Sequence, residues 1–279
     1  MPAVAVTALF TIYPIVESVR LSLHTWRGFG EQEFVGLANY QRLLADSVAH
    51  QALWNTFLFA TLTTVGTVAI GAAIALAIDR RVYLASIFKR VVFLPVILPV
   101  VFTGLVWVYG MDANFGWVNE LLGALHPALQ RAWLSEPGLV MYSIIGVTIL
   151  QYTGFPMIII LAALQDIPGE IHEAATLDGV SEIQRARYVS LPLVRDVIAT
   201  IVLLQLLFGF KVFDQVFVMT RGGPGSASEV MSYYVFRQAF DLQRFGQGAA
   251  AAVVTSVVVV VAAMLYLTVF RSRRISRAG

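Results

Sequence analysis

Six long apolar stretches separated by short polar segments dominate the chain. They run roughly over Ala3–Leu23, Asn55–Ile78, Arg90–Tyr109, Leu139–Leu164, Val197–Met219 and Gly246–Phe270. Each approaches the ~20 residues needed to cross a hydrocarbon core ~30 Å thick at ~1.5 Å per residue. The pattern predicts an all-α polytopic membrane protein with about six transmembrane helices. Pro14, Pro95, Pro99 and Pro156 fall inside these stretches. Spans tolerate proline where neighbouring groups satisfy the freed carbonyls, so several kinks are expected. The first stretch has no basic flank and no convincing cleavage site, and reads as a retained helix rather than a signal peptide.

Composition agrees with the pattern. Of 279 residues, 58% are hydrophobic and only 13% charged, against roughly a quarter charged in soluble domains. The length suffices for one membrane bundle and little else, so residues 1–279 are expected to form a single transmembrane domain with a basic tail at 271–279. A net charge of +2 disfavours nucleic acid as a partner. The absence of cysteine removes disulfides, thiolate metal sites and thiol nucleophiles, and the four histidines are scattered.

Basic residues set the orientation. Eleven of the nineteen lie on one side: Arg80, Arg81, Lys89 and Arg90; Arg185, Arg187 and Arg195; and Arg271, Arg273, Arg274 and Arg277. The opposite loops hold six: Arg27, Arg42, Arg131, Arg221, Arg237 and Arg244. The first side is therefore expected to be cytoplasmic, with both termini inside. The N-terminus disagrees locally, since Arg20 and Arg27 flank the outer end of the first span. Either later segments dominate the orientation, or the natural start lies upstream of Met1.

Candidate chemistry is sparse. No G-x-x-x-x-G-K-[ST] phosphate loop is present, and the only lysines are Lys89 and Lys211. Charged residues within spans reduce to Glu17 with Arg20 and Lys211 with Asp214, both at i, i+3 spacing, which allows local pairing. Neither resembles a proton relay. The connection between the fourth and fifth stretches, about residues 166–192, differs from the other cytoplasmic connections. Pro168 can open a helix. Glu170 and Glu173 follow in its first turns, where negative charge complements the dipole. Ala174 and Ala175 make a small surface, and Gly179 suits a left-handed helix end. Ser181 is then placed to cap a second helix, which Pro192 limits. The residues alone fit either a docking element or a plain surface hairpin.

The run Glu173-Ala-Ala-x-x-Asp178-Gly179, with Leu191-Pro192 after it and Ile167-Pro168-x-Glu170 before it, resembles the EAA motif of permease subunits in binding-protein-dependent ABC importers. His172 departs from the tyrosine often found there, and Asp196 from the proline that commonly follows the basic residue. Phe34-Val-Gly36-Leu-Ala-Asn39-Tyr40 and Thr220-Arg-Gly222-Gly223-Pro224, with Ser228-Glu229 and Tyr233-Tyr234, resemble the carbohydrate-type permeases related to the maltose and glycerol-3-phosphate importers. The likeness covers nearly the whole chain. It implies a type I importer permease fold in the bacterial inner membrane, with Glu170, Glu173, Ala174, Ala175, Asp178 and Gly179 docking on an ATPase. It also implies a second permease, two ATPase subunits that bind ATP-Mg, and an extracytoplasmic solute-binding protein. No cofactor and no ATP hydrolysis are expected in this chain. The substrate would be a sugar or sugar-like solute, held by span residues chosen from Gln151, Tyr152, Phe155, Lys211, Phe213 and Asp214. The competing reading is a self-sufficient ion-coupled carrier.

Overall fold

The computed structural model describes residues 2–79 and 85–275. Arg80 and Arg81, and Arg277 of the basic tail, lie outside the described residues. Among the described residues the regular elements are helices apart from one antiparallel pair of two-residue strands. In order its elements are α1 (Val4–Ser22), β1 (His24–Thr25), β2 (Glu33–Phe34), α2 (Ala38–Ala45), α3 (Ser47–Asp79), α4 (Ala85–Ile97) and α5 (Val100–Gly110). These are followed by α6 (Trp117–Leu125), α7 (Val140–Tyr152), α8 (Gly154–Gln165), α9 (Gly169–Leu177) and α10 (Glu182–Leu193). The chain continues through α11 (Arg195–Phe210), α12 (Asp214–Met219), α13 (Met231–Phe236) and α14 (Phe245–Ile275).

Three helices among the described residues, α1, α3 and α14, are long and apolar enough to cross a membrane unbroken. Three bent pairs qualify as broken spans: α4 with α5 at 97°, α7 with α8 at 40°, and α10 with α11 at 71°. Counting each pair as one span gives the six expected. Two stretches are less continuous than their hydropathy suggests. The third breaks at Leu98–Pro99, because Pro95 and Pro99 each remove a backbone donor. The fifth was expected to run to Met219, but its helix ends at Phe210 and a short new helix starts at Asp214. Lys211 and Asp214, the charged residues of that stretch, are both exposed. Between them Phe213 leaves helical geometry, at φ −137° and ψ −56°.

The chain packs as two compact units, one of Met1–Leu58, Ala132–Met141 and Phe210–Gly279, the other of Phe59–Arg131 and Tyr142–Gly209. In the first, α14 lies against α1, α2 and α13. Its core is made of Leu43, Ala49, Ala52, Met231, Tyr234 and Ala251, where the alanines let helices approach closely. In the second unit the core runs through Val68, Ala75, Ile78, Met157, Ile160, Leu164, Val194 and Ile201. Glycines set the tightest approaches there. A side chain at Gly71 would meet the Met157 amide nitrogen at 2.9 Å, and one at Gly154 would meet the Val92 carbonyl oxygen at 2.5 Å.

Several polar groups inside the spans are paired within the protein. Thr63 and Thr67 donate to the carbonyls four residues back at 2.6 and 2.7 Å, and Gln205 of α11 donates to Thr67 Oγ1 at 2.9 Å. Such bonds keep hydroxyls satisfied where no water competes.

The Gly154 contact gives a direct test. Because both nearest atoms, the Val92 carbonyl oxygen and Phe93 Cα, are backbone, Gly154→Ala forces α8 away from α4. It should destabilise by about 1–3 kcal/mol, read as a lower thermal midpoint in detergent. Gly146→Ala, where a methyl group meets nothing within 4 Å, should not lower it, since alanine is the better helix former.

Candidate functional site

The segment between α8 and α11 is an exposed helix–turn–helix mounted on two buried anchors. Leu164 at the end of α8 and Val194 before α11 are 1% and 3% exposed, and both belong to the core of their unit. Between them the chain is largely solvent-facing. Pro168 stands as the N-cap of α9 with ψ 135°, one place earlier than a first helical residue, and its carbonyl accepts from the Ile171 amide at 3.1 Å. Glu170 and Glu173 follow on the exposed surface.

The two alanines do different things. Ala174 is exposed, whereas Ala175 is buried against its own unit. Gly179 has φ +70°, and a methyl group there would meet nothing within 4 Å, so backbone conformation rather than crowding calls for glycine. Its amide donates to the Thr176 carbonyl at 3.1 Å, and the Val180 amide reaches the Ala175 carbonyl at 3.4 Å. Ser181 then closes a capping box. Its hydroxyl accepts from the Gln184 amide at 3.4 Å, while Gln184 Oε1 accepts from the Ser181 amide at 2.8 Å. Glu182 pairs with Arg185 at 2.6 Å. Leu177 and Ile183 are left bare, at 88% and 74% exposure. Sequence reading passed over both, although a leucine and an isoleucine in an otherwise polar hairpin were a signal. An open groove of about 530 Å³ lies alongside, lined by Ala73 and Leu76 of α3 and by Ile183, Arg187 and Leu191 of α10.

The span residues considered for the substrate path fall in both units. Gln151, Tyr152 and Phe155 belong to the second, Lys211, Phe213 and Asp214 to the first. Gln151 is buried and engaged: its Oε1 accepts from Thr103 Oγ1 at 3.0 Å, and its Nε2 donates to the Leu98 carbonyl at 3.3 Å. That carbonyl sits at the break between α4 and α5, ahead of the ladder that resumes with the Thr103 amide on Pro99. Tyr152 and Phe155 flank the second break, half-buried. Phe213 stacks on Phe217 with centroids 5.2 Å apart and joins Tyr233 and Phe236 in an aromatic cluster, whereas Lys211 and Asp214 face outward.

The loop motifs are structural ties within the first unit. Asn39 donates to the Ser22 and His24 carbonyls at 2.8 and 2.9 Å, and the Tyr40 hydroxyl bonds Ser22 Oγ at 2.7 Å. Gly222 has φ +78°, and a methyl group there would lie 2.9 Å from the Tyr233 ring. Ser228 Oγ donates to the Gly223 carbonyl at 2.6 Å, and the Ala227 amide reaches the Pro224 carbonyl at 3.0 Å. Asn55 of α3 holds the whole loop, donating to the Ala227 and Glu229 carbonyls at 3.0 and 2.9 Å.

Beneath that loop lies a charged network that the sequence did not reveal, since its members are far apart in the chain. Glu229, 1% exposed, pairs with Arg237 at 2.9 Å, and the Tyr234 hydroxyl donates to Asp46 Oδ2 at 2.7 Å. Burial raises the Glu229 carboxyl to about 7; Arg237 opposes the shift and Asp46 adds to it. Burial, with the bond to Asp46 behind it, also pushes the Tyr234 phenol upward.

A carboxyl whose folded value exceeds its unfolded one stabilises below the unfolded value and loses that contribution as pH rises through the folded one. Between an ordinary 4.5 and about 7, the thermal midpoint should therefore fall as pH rises. Glu229→Gln should flatten that part of the profile, as measured by thermal unfolding in detergent across the range.

Comparison with known proteins places this architecture. Residues 67–276 match the family model described as binding-protein-dependent transport system inner membrane component. A probable ABC transporter permease protein of Pyrococcus horikoshii is 33% identical over 270 residues, covering 96% of this chain and 92% of that protein. The trehalose/maltose transport system permease protein MalF of Thermococcus litoralis is 30% identical over 278 residues, covering 98% and 92%. In fold, the chain is similar to the solved structure of a bacterial ABC transporter involved in import of the acidic polysaccharide alginate, with a TM-score of 0.86, 22% identity, and coverage of 99% of this chain and 93% of that one. A match over three-quarters of the chain, six apolar spans and the exposed helix–turn–helix agree, and the chain belongs to the family of inner membrane components of binding-protein-dependent transport systems.

Proposed function

We propose that this chain forms half of the membrane pathway of an ATP-driven importer for a sugar or oligosaccharide, and that α9 with its Gly179 turn is where an ATPase subunit docks. The observation that carries the docking reading is the mounting of the helix–turn–helix. Its outward face offers Glu170, Glu173, Ala174, Leu177 and Asp178, while Leu164 and Val194 fix its two ends in the core. A load applied to α9 is thus delivered to α8 and α11 rather than absorbed in a loose loop. Rigid elements of this kind transmit a rocking motion between two states, the basis of alternating access.

The proposal includes a second permease, two ATPase subunits and an extracytoplasmic binding protein. ATP-Mg belongs to the ATPases, and this chain supplies no hydrolytic group. The bias of basic residues puts α9 and both termini on the cytoplasmic side. Support for a sugar comes from the relatives, which include trehalose/maltose, diacetylchitobiose and sulfoquinovosyl glycerol permeases. Tyr152 and Phe155, half-buried beside a helix break, are the preferred contacts for solute. Gln151 holds the backbone beside them.

Two measurements test this reading. Glu173→Lys reverses charge on an exposed site, and Gly179→Val forces a β-branched residue to φ +70°. Each should lower co-purification of the ATPase by about 10-fold or more, equivalent to 1.4 kcal/mol, and abolish uptake while leaving the spans folded. Retention of both complex and uptake would remove the docking assignment. In liposomes, the chain alone should move no solute under an ion gradient; uptake there would favour the ion-coupled carrier.

A further inference from the structure

The segment joining α5 to α7 contains a helix turned inside out. In α6 the polar Asn119 points inward and is 5% exposed, while Trp117, Leu121 and Leu125 face outward at 44%, 62% and 79%. These three recur at i, i+4 and i+8, so they share one face. Phe115 just before the helix and Leu129 just after it extend the same apolar exposure.

The rotation of α6 is fixed by bonds. Asn119 Nδ2 donates to the Arg131 carbonyl at 2.8 Å, and Asn119 Oδ1 accepts from the Arg131 amide at 3.1 Å. The Trp117 ring sits on Gly110, where a methyl group would lie 2.4 Å from Nε1, and stacks obliquely on Trp107 with centroids 5.3 Å apart. At Gly116 a methyl group would collide with the Asp112 and Gly110 carbonyls at 2.4 and 2.5 Å. A helix pinned so firmly cannot roll its leucines inward, and in water their exposure costs about 25 cal/mol per Å².

We propose that α6 is an interfacial anchor, its outward face entering the lipid leaflet on the side where α5 ends. Three observations select lipid as the occupant. Trp107 lies in the last turn of α5, so the Trp107–Trp117 contact ties α6 to the depth at which a span leaves the hydrocarbon. That is the level where tryptophan is favoured, with its ring in the apolar boundary and its N–H toward water. On α5 itself, which is tied to α6 through Trp107, Phe102, Leu105 and Tyr109 are also exposed. A nine-residue helix also falls short of the ~800 Å² per partner of a specific protein interface, whereas insertion into lipid has no such minimum.

The chain has no native cysteine, so single labels are unambiguous. Spin labels on Leu121→Cys, Leu125→Cys and, as an aqueous reference, Asn114→Cys would be compared in nanodiscs. The full chain is used with whatever subunits co-purify, and collision with oxygen is measured against collision with a water-soluble nickel chelate. Labels at 121 and 125 should favour oxygen and lie ~5–10 Å below the headgroup level, while the label at 114 favours nickel. Low access to both reagents at 121 and 125 would mean that a protein partner covers the face, and dominant nickel access would mean water; either overturns the anchor. Quenching of a fluorophore at the same cysteines by doxyl-labelled lipid supplies an independent reading, independent also of whether the chain transports a sugar.

Discussion

A backbone carbonyl in hydrocarbon must find a donor inside the protein, and much of this structure follows from how that demand is met at the broken spans. Pro95 and Pro99 interrupt α4–α5 and leave the Leu98 carbonyl without a helical partner. The Gln151 amide supplies the missing donor at 3.3 Å, and Thr103 occupies its oxygen at 3.0 Å. One side chain of α7 therefore holds both sides of a 97° bend. Leaving such a group unpaired would cost several kcal/mol, so the bend and the glutamine depend on each other. The close approach at Gly154 then brings α8 against α4 and sets the frame from which α9 projects.

Much of this was legible in the sequence, because hydropathy, proline and helix-end signals are local. Six apolar spans, counting each bent pair as one, the left-handed Gly179 and the cap at Ser181 all appear as expected. Continuity within a span was less legible. Apolar residues carry the same signal whether their backbone is straight or broken, so Arg90–Tyr109 read as one rod and Val197–Met219 ran past its true helix end. Pairing across the chain was not legible at all. Asn55 reaches Ala227, and Asp46 reaches Tyr234, across separations for which no local pattern exists. Gln151 is a candidate for solute because buried polarity needs a reason, and it also holds the backbone of α4–α5, a bond between residues 53 apart that no local pattern announces.

The same economy marks the loop between α12 and α13. Gly222 and Ser228 shape it, Asn55 holds it to α3, and the Glu229–Arg237 pair ties it to the end of α13. A buried ion pair is weak evidence for net stability, since desolvation offsets much of the attraction. Its value here is geometric, because losing the partly exposed Arg237 would leave the buried Glu229 without its counter-charge beneath the loop.

The alanine pair of α9 separates two kinds of selection that a sequence motif merges. Ala175 is buried within the chain itself, whereas Ala174 is exposed on the outer surface. Under the docking proposed above, a change of ATPase partner would bear on the outward set alone, Glu170, Glu173, Ala174, Leu177 and Asp178. The inward set stays bound to the fold. Substitution patterns at neighbouring positions 174 and 175 would then diverge, the first tracking the identity of the companion and the second tracking the architecture of the chain itself.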